Sequence, residues 1–163
     1  MNCVTLQHMA IRRIVLIPVL LGVLSLLFVF ARCGNKTRDD DIPLVPVNIY
    51  LDLNVNSNAP LNLPGGYIYI TGGNKGIIVF HNFDDTYLAF ERTCSYHPYD
   101  ACNLITMDSS GVVLLCGKYN ASAFEPCCGS QFTIEGFVSK GPATRPLRTY
   151  TVVRNSNQVH IYN

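Results

Sequence analysis

The chain has 163 residues, 48% hydrophobic and 14% charged, a balance that allows one ordinary packed domain plus a short leader and excludes an intrinsically disordered chain. The net charge of +1 hides an asymmetry: of twelve Lys and Arg, three (Arg12, Arg13 and Arg32) lie in the first 33 residues, so the other nine face eleven Asp and Glu. That mildly acidic remainder carries no Lys/Arg cluster, which sets nucleic acid aside as a partner.

Residues 1–33 read as a targeting segment. Arg12-Arg13 precede an uncharged run of eighteen residues, IVLIPVLLGVLSLLFVFA at 14–31, which predicts an apolar helix. A charged start followed by an apolar stretch is the pattern of a secretory leader, and this one is just long enough for a membrane span. Cys33 closes the run in FARCGNKTRDDD. An apolar leader ending on Cys, then Gly, Asn and acidic residues, resembles a bacterial lipoprotein junction. The resemblance implies lipidation of Cys33, although Arg32 stands where a small residue is the norm. An uncleaved anchor and simple secretion are the alternatives. Each places the rest of the chain outside the cytoplasm, in the cell envelope, where disulfides persist. Residues 34–46 are polar, acidic and then Pro-containing, as a short tether would be.

From residue 47 to 163 the pattern changes to short β-like runs separated by Gly, Pro and Asn turns. Expected strands cover residues 47–53 (VNIYLDL), 67–71 (YIYIT), 77–81 (IIVFH), 87–92, 112–116, 131–134, 148–154 and 158–162. Residues 72–76 (GGNKG) form a tight-turn signal between two of them. No window past the leader shows helical periodicity. The expected fold is therefore all-β, an antiparallel sandwich or barrel.

Five cysteines, Cys94, Cys102, Cys116, Cys127 and Cys128, fall within 35 residues, with His97 beside the first. In a small extracytoplasmic domain such a group means disulfides, a metal site, or both. The words around them run in a telling order: Cys94-Ser-Tyr-His97-Pro98, then Pro126-Cys127-Cys128-Gly129-Ser130-Gln131-Phe132, then Gly141-Pro142-Ala143-Thr144-Arg145-Pro146-Leu147. This succession resembles the Rieske iron–sulfur family over residues 67–163. In that family one loop supplies Cys-x-His, a second supplies Cys-x-x-His followed by Gly-Ser-x-Phe, and a Gly-Pro-Ala segment covers the cluster. The resemblance implies a stacked antiparallel β-sandwich with a small loop-rich ligand subdomain and a [2Fe–2S] cofactor. It also implies single-electron transfer to a redox protein partner, with Gly141, Pro142 and Ala143 as the covering turn. One iron of such a centre is held by two thiolates and the other by two imidazoles, which raises its potential by hundreds of millivolts.

The ligand set departs from that pattern. Cys94 and His97 are separated by two residues instead of one, Cys128 stands at the second-loop His position, and Glu125 stands at the second-loop Cys position. Cys116, near the family's spacing from His97, is a substitute thiolate, so Cys94, His97, Cys116 and Cys128 are the candidate metal ligands. Membrane-bound Rieske proteins also carry a disulfide between the ligand loops, which implies a Cys102–Cys127 bridge here. A further Cys94–Cys128 disulfide would delete the metal site and leave a Rieske fold without a cluster, acting as a structural or interaction module. A structural zinc site on Cys94, His97, Cys127 and Cys128 is a third reading. The plain readings stand beside these. His97 can be an exposed turn residue, Glu125 a solvated carboxylate, and Cys116, two residues after Leu114, a small apolar core residue. No nucleophile elbow, HExxH or phosphate-cradling loop is present.

Overall fold

The computed structural model describes residues 41–121 and 123–163. The apolar leader, Cys33 and the first part of the tether lie outside the described residues. Among the described residues, no helix is long and apolar enough to cross a membrane.

The described chain forms three antiparallel sheets. The first has the order β1 (Asn48–Asp52), β10 (Gln158–Tyr162), β9 (Thr151–Asn155). The second is a meander of β2 (Tyr67–Ile70), β3 (Ile77–His81) and β4 (Tyr87–Glu91). The third is β5 (Ile105–Met107), β6 (Val113–Tyr119), β7 (Phe124–Thr133) and β8 (Val138–Lys140). A 3-10 helix, Asn56–Asn62, buries Leu61.

The second sheet is the middle layer. Every residue of β3 is buried. Ile77 and Val79 point into one core with Leu51, Leu61, Val159 and Ile161. Ile78 and Phe80 point into another with Phe90, Ile105, Leu114 and Phe132. A strand covered on both faces reads as a continuous apolar run, which explains why IIVFH does not alternate. The first core joins the sheet that holds both chain ends of the domain to the middle layer. The second joins the middle layer to the four-stranded sheet, and it contains Cys94 and Cys116.

The expectation of an all-β antiparallel sandwich agrees with this architecture. Three details differ. β5 and β8 are three-residue strands, too short for a pattern to show. The strand expected at 148–154 starts at Thr151, because the backbone of residues 148–150 bonds to β4 instead: Glu91 N–H donates to the Arg148 carbonyl, Tyr150 N–H donates to the Ala89 carbonyl, and Thr149 bridges to Phe90. The segment 118–126, for which no strand was expected, extends the β6–β7 hairpin, with Lys118 opposite Glu125 and Tyr119 opposite Phe124.

Candidate metal centre

The hairpin that carries Cys116 and Cys128 is irregular where they meet. Leu115 pairs with Gln131 and Gly117 pairs with Pro126. Between these rungs β6 has Cys116 alone, whereas β7 has Cys127, Cys128, Gly129 and Ser130. The surplus residues bow out of the ladder, as in a bulge. Gly129 takes φ 76° there, the left-handed conformation that glycine enters without cost. The segment expected as a second ligand loop is therefore a distortion within a long strand.

Cys94 arrives from the middle layer. Glu91 ends β4, Thr93 bridges to Leu104, and the next residue turns its sulfur inward. Cys94 is fully buried and Cys116 nearly so, while Cys128 is partly exposed. Their three sulfurs lie within 4.8 Å of one another, and Cys94 Sγ is 3.8 Å from Cys128 Sγ. The Cys116 thiol also has the Asn103 Oδ1 acceptor at 3.1 Å, and Cys128 Sγ is 3.2 Å from Ser130 Oγ.

These contacts set the thiol chemistry. The hydrogen bond from Cys116, helped by the Tyr96 backbone N–H, the Cys128 thiol and the charge of Lys75, outweighs burial and brings the Cys94 thiol down to about 7. The contact with Cys94, together with burial, pushes the Cys116 thiol far up. Of the two, Cys94 is the better nucleophile and the readier metal ligand.

The remaining expected residues separate into two groups. Cys102 and Cys127 form a disulfide across a Cα–Cα distance of 5.5 Å. Cys127 is thereby withdrawn from the zinc set considered from the sequence. His97 is exposed, has φ 48° and sets its ring at a tilt against Tyr96, with centroids 4.2 Å apart. It does not join the three-thiol group. Glu125 is exposed and faces Lys118 at 3.8 Å.

The covering turn is tied to both ligand segments. Ala143 is buried, and its N–H donates to Ser130 Oγ at 2.9 Å. Ser95 Oγ donates to the Arg145 carbonyl at 2.6 Å. Gly141 and Pro142 are exposed and joined by a cis peptide bond. Two contributors had no sequence signal. Asn103 is fully buried, accepts from Cys116, and donates its amide to the carbonyls of Tyr96 and His97. Lys75 reaches across from the glycine turn to the carbonyls of Asp100 and Asn103. Both roles depend on contacts between separate segments, which spacing along the chain cannot show.

The fold is similar to that of the cyanobacterial plasma membrane Rieske protein PetC3 from Synechocystis PCC 6803. The identity is 22%, the TM-score is 0.50, and the match covers 69% of this chain and 97% of that one. The ferredoxin of carbazole 1,9a-dioxygenase from Nocardioides aromaticivorans IC177 matches at 18% identity and a TM-score of 0.44, covering 71% of this chain and 95% of that one. No family model and no curated protein matches the sequence. The domain is Rieske-like in fold.

The donor set can be tested against the cofactor that this fold suggests. A [2Fe–2S] centre needs one ligand pair on each iron. The three thiols here all lie within 4.8 Å of one another and supply at most one full pair, so a second iron would need a further donor such as His97. The thiols themselves fit one ion. Tetrahedral metal–sulfur bonds of about 2.3 Å put sulfurs about 3.8 Å apart, which is the Cys94–Cys128 separation.

Proposed function

We propose that the chain is an envelope-tethered Rieske-fold metal protein whose centre is one thiophilic ion held by Cys94, Cys116 and Cys128. The observation that carries this reading is the convergence of three sulfurs, from the segment after β4, from β6 and from β7, into one group of which two members are buried. Thiolates select soft or borderline ions such as iron, zinc or copper(I). Iron in this site would supply one-electron chemistry, and the Rieske-like fold favours such a role, with a redox protein as partner. The chain's own residues do the rest. Asn103 fixes Cys116, Ser130 sits beside Cys128, and the 141–147 segment is tied to Ser95 and Ser130, the neighbours of Cys94 and Cys128. The tether to the membrane rests on the apolar leader and the Cys33 junction.

A second reading keeps a [2Fe–2S] cluster. Its support is the fold together with His97, which lines a small cleft with Pro142 and Arg145 of the covering segment. Metal and acid-labile sulfide analysis of protein isolated anaerobically from its own envelope separates the two. One metal ion per chain without sulfide is the expected result. Two irons with two sulfides would establish the second reading, and a metal-free chain with all three thiols open to alkylation would remove both.

A further inference from the structure

Cys94 and Cys128 stand in a relation that metal binding alone does not require. Their sulfurs are 3.8 Å apart, and a disulfide needs about 2.05 Å, so an approach of under about 2 Å would join them. The two residues have unequal freedom to make it. Cys94 is locked in the core, directly after the Thr93–Leu104 bridge. Cys128 lies among the surplus residues of the bulge, which no ladder rung holds between Pro126 and Gln131. A Cβ built on Gly129 would meet nothing within 4 Å, so there is open space beside the bulge. Cys128 is also the member of the trio that solvent reaches. Cys116 is 1% exposed, is paired with Ile105 of β5 and has Asn103 as acceptor, and so has neither access nor slack. The neighbouring Cys127 is already committed to Cys102.

We propose that Cys94 and Cys128 form a reversible two-electron dithiol/disulfide couple, exchanged with the disulfide of an extracytoplasmic thiol oxidant, whose oxidised form cannot hold the ion. This rests on the metal reading for its consequence but not for its chemistry. In the first step the Cys128 thiolate attacks one sulfur of the oxidant's disulfide, forming a mixed disulfide and releasing one thiolate. In the second, the Cys94 thiolate attacks the Cys128 sulfur, closing the Cys94–Cys128 bond and releasing the oxidant's second thiolate. The protein loses two electrons and two protons, and the oxidant's disulfide is reduced to two thiols. Cys116 remains as a single thiol, and one sulfur does not make a metal site.

The test uses the full chain, made metal-free, and equilibrated in buffers of reduced and oxidised glutathione. Alkylation followed by peptide mapping reads which cysteines are joined. As the buffer is made oxidising, Cys94 and Cys128 should pass together from alkylated to linked, Cys116 should stay alkylated, and Cys102–Cys127 should stay linked. Reducing buffer should reverse the change. Cys128→Ser should abolish it. In a parallel arm the protein carries one equivalent of zinc, and oxidation should release all of it as Cys94 and Cys128 link. Zinc that fails to bind the reduced chain would count against the metal reading while leaving the couple standing. Thiols that stay alkylated throughout, or a Cys128–Cys116 link instead, would overturn the couple.

Discussion

Two buried polar groups lie three residues apart along the same stretch of chain, and they are built on opposite principles. At Glu91 the structure is complete. Its carboxylate is fully buried and accepts from the backbone N–H groups of Asn74 (2.7 Å), Lys75 (3.0 Å) and Thr93 (2.9 Å). The hydroxyls of Thr93 (2.9 Å) and Tyr150 (2.8 Å) add two more. Gly73, at φ 60°, lets the turn approach that closely, since a Cβ there would collide with the carboxylate and with the Tyr150 hydroxyl. At Cys94 the structure is open. Three sulfurs face one another with few strong donors between them. A buried charge with every acceptor position used holds the structure together. A buried cluster of soft donors turned toward each other has binding capacity in reserve.

The largest expected effect comes from breaking the complete site. Glu91→Ala removes the acceptor for five donors that link the 72–76 turn, the end of β4 and Tyr150. We expect a loss of about 3–5 kcal/mol in chemical denaturation, because the donors stay buried without a partner. A loss below about 1 kcal/mol would break the comparison. The site also sets an acid limit. Burial pushes the Glu91 carboxyl up, but the hydrogen bonds from Asn74, Lys75, Tyr150 and Thr93 outweigh it and leave it below its ordinary value of 4.5. Its contribution is therefore fully present above pH 4.5 and drains away as pH falls through the lower folded-state value. Denaturation midpoints followed downward from pH 6 should show this fall in the wild type, and Glu91→Gln should flatten it.

Next in size is the Cys102–Cys127 bridge, which separates stability from site chemistry. It spans 25 residues, and closing a loop of that length restricts the unfolded chain by about 3 kcal/mol. The double substitution Cys102→Ala, Cys127→Ala should cost about that much in urea. The thiol trio comes from β6, the bulge and the end of β4, so the variant should still bind one ion under conditions where it is folded. Loss of the ion from the folded variant would show that the bridge positions Cys128.

Many of the strand positions were legible in the sequence because strand chemistry is local. YIYIT, IIVFH and the GGNKG turn mark a hairpin that the structure contains as β2 and β3. The Gly129-Ser130-Gln131-Phe132 and Gly141-Pro142-Ala143 words mark segments that pack together through Ser130 and Ala143. The site was less legible. Cys116 reads as either a core residue or a ligand, and it is buried among both the core and the thiols. Its meeting with Cys128 depends on a four-against-one mismatch in pairing, which no spacing rule contains. His97 is near Cys94 in sequence yet faces solvent, because the turn at φ 48° sends its ring onto Tyr96.

A smaller effect should follow at Asn103, which supports the open site without belonging to it. Asn103→Ala strands the Cys116 thiol and the carbonyls of Tyr96 and His97. We expect about 2 kcal/mol of destabilisation together with a tenfold to hundredfold weakening of zinc binding, the usual scale for a group that orients a metal ligand. Asn103→Asp keeps an acceptor for the thiol and should recover part of the affinity but less of the stability, since it loses the amide donor. Equal loss of both in the two variants would mean that Asn103 acts only on the fold.

The smallest expected effect is the most pointed, because it falls on the one imidazole in the expected ligand set. His97 is exposed and outside the thiol group. Asparagine tolerates the left-handed backbone that the position adopts, so His97→Asn removes the imidazole with little strain. Stability should change by no more than about 0.5 kcal/mol. If one ion sits among the three sulfurs, its stoichiometry and its visible or near-ultraviolet thiolate absorption should be unchanged. If the imidazole completes a dinuclear cluster, the same substitution should remove a ligand, change the spectrum and release iron. Both the stability and the metal content of this one variant can be read on the same sample, so a failure to fold cannot be mistaken for the loss of a ligand.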